Sequence, residues 1–553
     1  MRHVNPSTQR EIAVTPKVFA ATRFLSIDLG LIFAAGAARH PHARIILDHD
    51  LALYPEVERS ITFTRLAKLV DDLARRMRVV GVSRSDYVAV YAAHRFDLVL
   101  VASAAARLGA IPVMLSDTLD GDTVTALLAK LDRPAHLVTD ETKLRTELAE
   151  HPFRANVRTV STISGKHADA QSLPSVPPDT RPFPKSISRH EPALVTHSSG
   201  TTGLPKLIVQ CGRSLYWHYQ PQISKARFLR LTGPLLTCTS FSHVRFWSLL
   251  MVGMRLGQTM VFVTDPEPNR VVELFLQTQP ELIEAYPNVL MRWGELADDP
   301  REPLAGVRLF RGFFDAMHPR IVDQLLEASR RRVPLYAHGY GQSEVGSIAS
   351  FIGTKWMVRR FGTRCVGLPV PGARVKVVRR DGPDQPGSIY VRSRGRALGF
   401  IGGQQQYEQR LRDGWWEMGD VGYRGRFGAL YLLDREVDHI DGVASTLSIE
   451  DTLLSRLPEL LEIVVVPSGQ GQPTPVLCTK GDALLDPVRW REATEDLEQL
   501  AKPVQVSWQD LPVTSTWKIR RPELCRRLAQ GLLTSPGETP AQPKVDAAIE
   551  QPT

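Results

Sequence analysis

The chain reads as an α/β protein organised around parallel sheet, and three observations predict this. An apolar strand over Asp86–Tyr91, a helix over Phe96–Leu108 and a second strand over Ala110–Met114 succeed one another, the βαβ alternation of a parallel sheet. A further short apolar strand, Ala193-Leu194-Val195, runs directly into a loop rich in glycine and hydroxyls. That is how α/β sheets deliver ligand-binding loops. The composition, 43% hydrophobic and 23% charged over 553 residues, is that of an ordinary globular protein.

In chain order, Leu98–Leu108 is apolar nearly all round, which predicts a buried helix. Gly109 follows it as a helix-terminating residue. Val88–Leu115 is the most apolar region, but His94, Arg95, Asp97 and Arg107 interrupt it, so no membrane span is expected. Residues 166–188 are rich in Ser, Pro, Asp and Arg and read as a surface connector. Leu304–Phe310 and Val333–Ala337 read as strand entries, and Gly428–Leu433 as a strand that stops at Asp434-Arg435. The tail from Pro536, rich in Pro, Ala, Gln and Glu, is expected to be disordered.

A net charge of +9 is modest, and the arginines are scattered with no basic run interleaved with aromatics. Nucleic acid is therefore not an expected partner, whereas an anionic nucleotide and an acidic carrier partner suit the balance. The five cysteines lie far apart without a Cys-x-x-Cys pair, which argues against a zinc site and a disulfide framework. Free thiols and the lack of a signal-peptide layout at the start point to the cytoplasm.

Residues 194–206 read Leu-Val-Thr-His-Ser-Ser-Gly-Thr-Thr-Gly-Leu-Pro-Lys. Ser198, Ser199, Thr201 and Thr202 alternate with Gly200 and Gly203 and lead to Lys206. Glycines allow the backbone N–H groups to approach an anion closely, the hydroxyls add donors, and the lysine adds a point charge. The spacing is not that of a P-loop. It suits the phosphates of a nucleotide.

Four later segments follow in order: Tyr340-Gly341-Gln342-Ser343-Glu344, Trp416-Glu417-Met418-Gly419-Asp420, Asp434-Arg435-Glu436-Val437-Asp438-His439-Ile440, and Pro512 to Arg520 with Trp517-Lys518-Ile519. Together with the loop, this set resembles the adenylate-forming superfamily: acyl-CoA synthetases, luciferases and the adenylation domains of peptide synthetases. The resemblance implies a large N-terminal part over 1–434 with several subdomains and mixed and parallel sheets. It further implies a hinge at 435–440 about Asp438, a small mobile α+β domain over 441–533, and a disordered tail over 534–553.

The implied chemistry is attack of a carboxylate on the α-phosphate of ATP, giving an acyl-AMP and pyrophosphate, followed by transfer to a second nucleophile. By resemblance Glu344 holds Mg2+, Ser343 contacts the α-phosphate, and Ser198 to Gly203 with Lys206 grip the phosphates. Tyr340 stacks on adenine, and Asp420 and Arg435 meet the ribose. Lys518 bridges the carboxylate and the α-phosphate, although a solvated lysine among Arg520, Arg521, Arg526 and Arg527 is the other reading of that position. His243, Phe313, Phe314 and Gly339 are expected to line the substrate pocket.

Two departures from the family pattern carry expectations of their own. Gly312-Phe313-Phe314-Asp315-Ala316 places two rings where small residues are usual, which predicts a short or flat acyl pocket unless the rings are core. Ile440-Asp441-Gly442 places an acid where the family has a lysine on the path of a thiol cofactor, unfavourable for the phosphates of coenzyme A. The function expected is an ATP-dependent ligase that activates a small or aromatic carboxylic acid and transfers it to a thiol such as coenzyme A. The alternatives are transfer to a carrier-protein thiol or an amine, and a catalytically silent nucleotide-binding protein.

Overall fold

The structure is a computed structural model that describes residues 26–174, 181–184, 187–198, 203–313, 317–362, 364–379, 386–435, 440, 443, 445–467, 472–497, 500–514 and 519–533. Three sheets organise the described residues. The first has eight strands. Its parallel centre is β1 (Tyr87–Val90), β2 (Ile111–Met114) and β3 (Ala135–Thr139), with β1 between the other two. Beyond β2 it continues with β4 (Pro192–His197), which pairs antiparallel with β5 (Leu207–Cys211).

The predicted βαβ unit is present, with α1 over Asp97–Arg107 joining β1 to β2. Residues Leu98 to Ala105 of α1 are all buried, and Gly109 adopts φ +73° immediately after the helix. Only glycine takes that conformation without strain. Asp97 is buried in the first turn, where its carboxylate accepts from the backbone N–H groups of Ala52 and Leu53 at 3.1 and 2.8 Å.

The second sheet is large and mixed. Its parallel half contains β6 (Leu235–Cys238), β7 (Leu282–Ala285), β8 (Leu309–Gly312) and the start of β9 (Leu335–Gln342). From β9 onward the pairing is antiparallel, ending in β10 (Trp415–Arg424) and β11 (Leu430–Arg435) together with Ala373–Arg379 and Gly387–Ser393. Helices α2 (Gly212–Phe228) and α3 (Val244–Leu256) pack between the two sheets' cores.

Three strand limits differ from the sequence reading, one of them at Val333 and Pro334, which precede β9 and are not part of it. In place of a strand over Leu304–Phe310, a turn closed by Ala305 N–H on Glu302 C=O and Val307 N–H on Leu304 C=O precedes β8. Leu304 and Val307 are buried, but from a turn. The strand read as Gly428–Leu433 begins later, because Phe427 and Gly428 both have positive φ. It runs on through Asp434 and Arg435, which pair with Val421 and Asp420. The connector 166–188 also contributes Gln171–Ser172 as an edge strand on the first sheet.

A separate three-stranded sheet, Leu460–Val466, Thr474–Thr479 and Val504–Gln505, packs with helices Thr446–Arg456, Pro487–Thr494 and Arg521–Ala529. This small α+β unit has its own core of Ile449, Leu453, Ile463, Val465 and Leu477. It meets the larger part through Arg364 on Asp451 at 2.8 Å and the Thr446 N–H on Asp434 at 3.0 Å. No described helix is long and apolar enough to cross a membrane.

Asp97→Ala orphans two backbone donors in a site closed to water. Each orphaned donor costs about 1–3 kcal/mol, so urea unfolding should show a loss in that range or above it; an unchanged midpoint would mean water replaces the carboxylate.

Candidate active site

The phosphate-loop candidate begins where β4 ends and returns through β5. Ser198 N–H donates to Lys206 C=O at 3.0 Å, and Lys206 N–H donates to Ser198 Oγ at 2.9 Å. These two bonds clamp the ends of the loop. Ser199, Gly200, Thr201 and Thr202 lie outside the described residues, while Gly203 is exposed at φ +140°. Beneath the clamp, His197 accepts from Ser116 N–H at Nε2 (3.0 Å), so its Nδ1–H donates to Ser198 C=O at 2.8 Å. Burial holds its pKa below the usual value, which keeps the ring neutral.

Lys206, Glu344 and Arg410 form one electrostatic group. Burial pushes the Glu344 carboxyl up, and Lys206 and Arg410 pull it back. Burial depresses the Lys206 ammonium, helped by Arg410 and opposed by Glu344. The Lys206 ammonium lies 5.4 Å from the centre of the Phe400 ring. Arg410 reaches the group over Gly419, whose φ is +73° and where a Cβ would stand 3.0 Å from the guanidinium.

The segment after Gly339 is fixed by side chains on neighbouring strands. Tyr340 Oη donates to Asp420 Oδ2 at 2.5 Å, and Asp420 faces Arg435 as a cross-strand pair. Burial and the Asp420 carboxylate hold the phenol well above its ordinary pKa. Gln342 donates to Met418 C=O at 2.5 Å and accepts from Trp416 Nε1 at 3.1 Å. Gln210 on β5 donates to Ser343 C=O at 2.7 Å. The Ser343 hydroxyl meets His243 Nε2 at 3.1 Å.

His243 is the N-cap of α3, its Nδ1 accepting from Arg245 N–H at 3.0 Å. That bond places the ring proton on Nε2, so His243 donates to Ser343. His243 thus serves the Ser343 turn as well as the helix start.

Phe313 is buried, its edge against Gly339: a Cβ on Gly339 would stand 2.5 Å from the ring. The Arg245 guanidinium lies over the ring at 3.9 Å from its centre. Arg245 in turn makes a two-pronged pair with Glu284 at 2.7 and 2.6 Å, and Arg311 adds a third contact to the same carboxylate at 3.1 Å. Phe314, Asp438 and Lys518 lie outside the described residues.

The predicted Tyr340, Ser343, His243, Asp420, Arg435, Phe313 and Gly339 are therefore in one neighbourhood, with Lys206 and Glu344 at its phosphate-loop side. His197, Gln210, Gln342, Trp416 and Arg410 were not singled out from the sequence. Trp416 and Gln342 lie inside the quoted motifs, and His197 and Gln210 are polar residues in otherwise apolar strands, which is the signal that could have found them. Among the described residues no group of three or more His, Cys, Asp or Glu side chains could hold a metal ion. Glu344 is the carboxylate whose charge acts on Lys206.

Residues 33–401 match the family model described as AMP-binding enzyme. The chain belongs to the AMP-binding enzyme family. It is 41% identical over 539 residues to 3-amino-2-hydroxy-4-methoxybenzoate diazotase of Streptomyces cremeus, covering 92% of this chain and 97% of that one. It is 26% identical over 502 residues to 2-succinylbenzoate–CoA ligase of Bacillus mycoides (strain KBAB4), covering 88% and 98%. Among solved structures, the amide bond synthetase McbA from Marinactinospora thermotolerans superposes with a TM-score of 0.72 at 21% identity, over 90% of this chain and 99% of that one. Members of this family make adenylates at the expense of ATP, and this chain is such an adenylate-forming enzyme, with the large α/β part and small α+β part expected.

Replacing His243 separates its two contacts. His243→Ala should cost about 0.5–2 kcal/mol through loss of the helix cap, whereas His243→Asn should restore most of that loss while leaving Ser343 without its donor. Equal melting temperatures for wild type and the alanine variant would remove His243 from the cap.

Proposed function

We propose that this enzyme adenylates a small oxyanion and passes the activated group to an aromatic amine, the chemistry of a diazotase. The observation that carries the reading is the seat of Phe313, buried with its ring edge against Gly339; on this reading the ring takes up room that an aromatic acyl group would use. The 41% identity to a diazotase over nearly the whole of both chains supports it. Asp441 in place of a lysine counts against coenzyme A as acceptor.

A diazo group contains one nitrogen more than the amine it replaces, and nitrite supplies that nitrogen at the right oxidation level. Nitrite has the O–X–O shape of a carboxylate. One oxygen attacks the α-phosphorus, the bond to pyrophosphate breaks, and a nitrosyl-AMP forms. The amine nitrogen then attacks the nitrosyl nitrogen, and AMP leaves with the electron pair of the N–O bond. The amine nitrogen sheds one proton on forming the N-nitroso amine, which tautomerises to the diazohydroxide, takes up a proton and loses water to give the diazonium, and an ortho hydroxyl can release its proton to leave a neutral diazo ketone. No outside oxidant or reductant is needed.

In this scheme Ser198 to Gly203 and Lys206 hold the phosphates, and His243 aims the Ser343 hydroxyl at the α-phosphate. Asp420 and Arg435 hold the ribose beside Tyr340. Lys518 neutralises charge on the pentavalent phosphorus. Glu344, buried and facing two cations, suits a magnesium ion that takes its remaining oxygens from phosphates and water. Residues 435–440 act as the hinge between the 1–434 and 441–533 parts. The sequence-based expectation of thioester formation remains the second reading, favoured by the similarity to a CoA ligase.

Full-length enzyme with ATP, Mg2+, isotope-labelled nitrite and an ortho-hydroxy aromatic amine should release pyrophosphate and place the labelled nitrogen in a diazo product. Benzoate-dependent pyrophosphate exchange together with coenzyme A thioester, and no label in any diazo product, would replace this reading with the second. Phe313→Ala should open the filled space and raise benzoate-dependent exchange from near zero while nitrite-dependent exchange persists. No gain with any aromatic acid would show that Phe313 is only core.

A further inference from the structure

Around the Arg245 guanidinium, which lies 3.9 Å from the centre of the Phe313 ring, is a set of charges that the adenylation chemistry does not use. Glu284 is fully buried and is shared by Arg245 and Arg311, both buried. Lys225, on α2, is close enough to feel repulsion from Arg311 and Arg245 and attraction from Glu284. Three basic side chains thus face one carboxylate. Among the described residues no hydrogen bond or ion pair engages Lys225 itself.

A second observation is independent of these charges. Gln222 lies one turn before Lys225 on the same face of α2, is 1% exposed, and has neither its amide nitrogen nor its amide oxygen paired. His218, one turn earlier, is buried and neutral and donates to Gly395 C=O at 3.0 Å. Buried amides are nearly always satisfied, and an unpaired one costs stability. A helix face that keeps an unpaired Gln and an uncompensated Lys over two buried guanidinium groups lacks an acceptor, and the charge excess asks for an anion.

We propose that Lys225, Arg245 and Gln222 form a recognition pocket for a carboxylate carried by the aromatic amine, distinct from its reacting nitrogen. The inference rests on the amine-acceptor reading and narrows it to aminobenzoate-type acids. A carboxylate is planar and takes two or more donors: the Lys225 ammonium, the Gln222 amide N–H and the guanidinium N–H groups left over from Glu284. Phe313 links this pocket to the site, with one side on Arg245 and its edge at Gly339. The benzoate would then be held by its acid group while its amine points toward the nucleotide, the reverse of an orientation in which the acid is adenylated. Burial, with Arg311 and Arg245 adding to it, lowers the Lys225 pKa to about 7; a bound carboxylate would hold its proton on.

Calorimetry on the full chain without ATP or nitrite tests this directly. The probes are an aminosalicylate with its amine ortho to the hydroxyl, and ortho-aminophenol, which lacks only the carboxylate. Wild type should bind the aminosalicylate about 10- to 100-fold more tightly than the aminophenol. Lys225→Met should abolish the difference, and Lys225→Arg should restore most of it. Gln222→Leu should weaken aminosalicylate binding while raising the melting temperature, a combination that a merely structural glutamine would not produce. Equal binding of the two probes by wild type, or wild-type discrimination in Lys225→Met, would overturn the pocket. If discrimination is found but no labelled diazo product forms, the reaction reading fails and the pocket stands.

Discussion

Glu284 is the point on which this site is built. A carboxylate with no exposure, in the middle of a parallel sheet, keeps its charge only because two guanidinium groups close on it. Removing one partner of such a group costs several kcal/mol, because the remaining charges stay buried without compensation. Here the group joins three elements: Arg245 from the first turn of α3, Glu284 from β7 and Arg311 from β8. Two parts of the candidate site lean on it. Arg245 carries the ring of Phe313, and its own N–H is the one His243 caps. Through His243 the same helix turn reaches the hydroxyl of Ser343. A displacement of Glu284 would pass to the pocket wall and to the phosphate side together.

The fold was legible where local patterns dominate. The buried helix after β1, its glycine terminus and the strand that launches the phosphate loop follow from apolar periodicity and from the conformational demands of glycine. The misplaced strand limits have separate causes: Leu304 and Val307 are apolar because their turn is buried, and burial alone does not distinguish a strand from a covered turn, whereas positive φ at Phe427 and Gly428 delays the start of β11. Of the antiparallel half of the large sheet, the sequence reading found the strand ending at Asp434-Arg435 but not its pairing or its neighbours. Its strands alternate buried and exposed residues only in part, and register across several strands is set by contacts far apart in the chain.

At the site, residues in fixed motifs were legible and those that orient them were not. Tyr340, Ser343, Asp420 and Arg435 stand in short patterns. Gln210 and His197 act from single positions in apolar strands, and Arg410 acts from outside every motif. Their roles exist only after folding, since Gln210 reaches Ser343, His197 reaches Ser116 and Arg410 acts on Glu344, each tens of positions away in the chain. The long-range partner of a buried polar residue is what a single sequence withholds: a Gln in a strand announces that it needs a partner, not which one.

The two hydrogen bonds between Ser198 and Lys206, eight residues apart, turn the phosphate loop into a closed ring in the statistical sense. Most of the entropy lost in bringing chain ends together is lost when the sheet folds, because β4 and β5 already hold those ends. The clamp thus fixes the separation of the loop's two ends as part of folding itself. Breaking the Ser198 clamp therefore acts on the folding equilibrium and on the spacing of the loop's ends together.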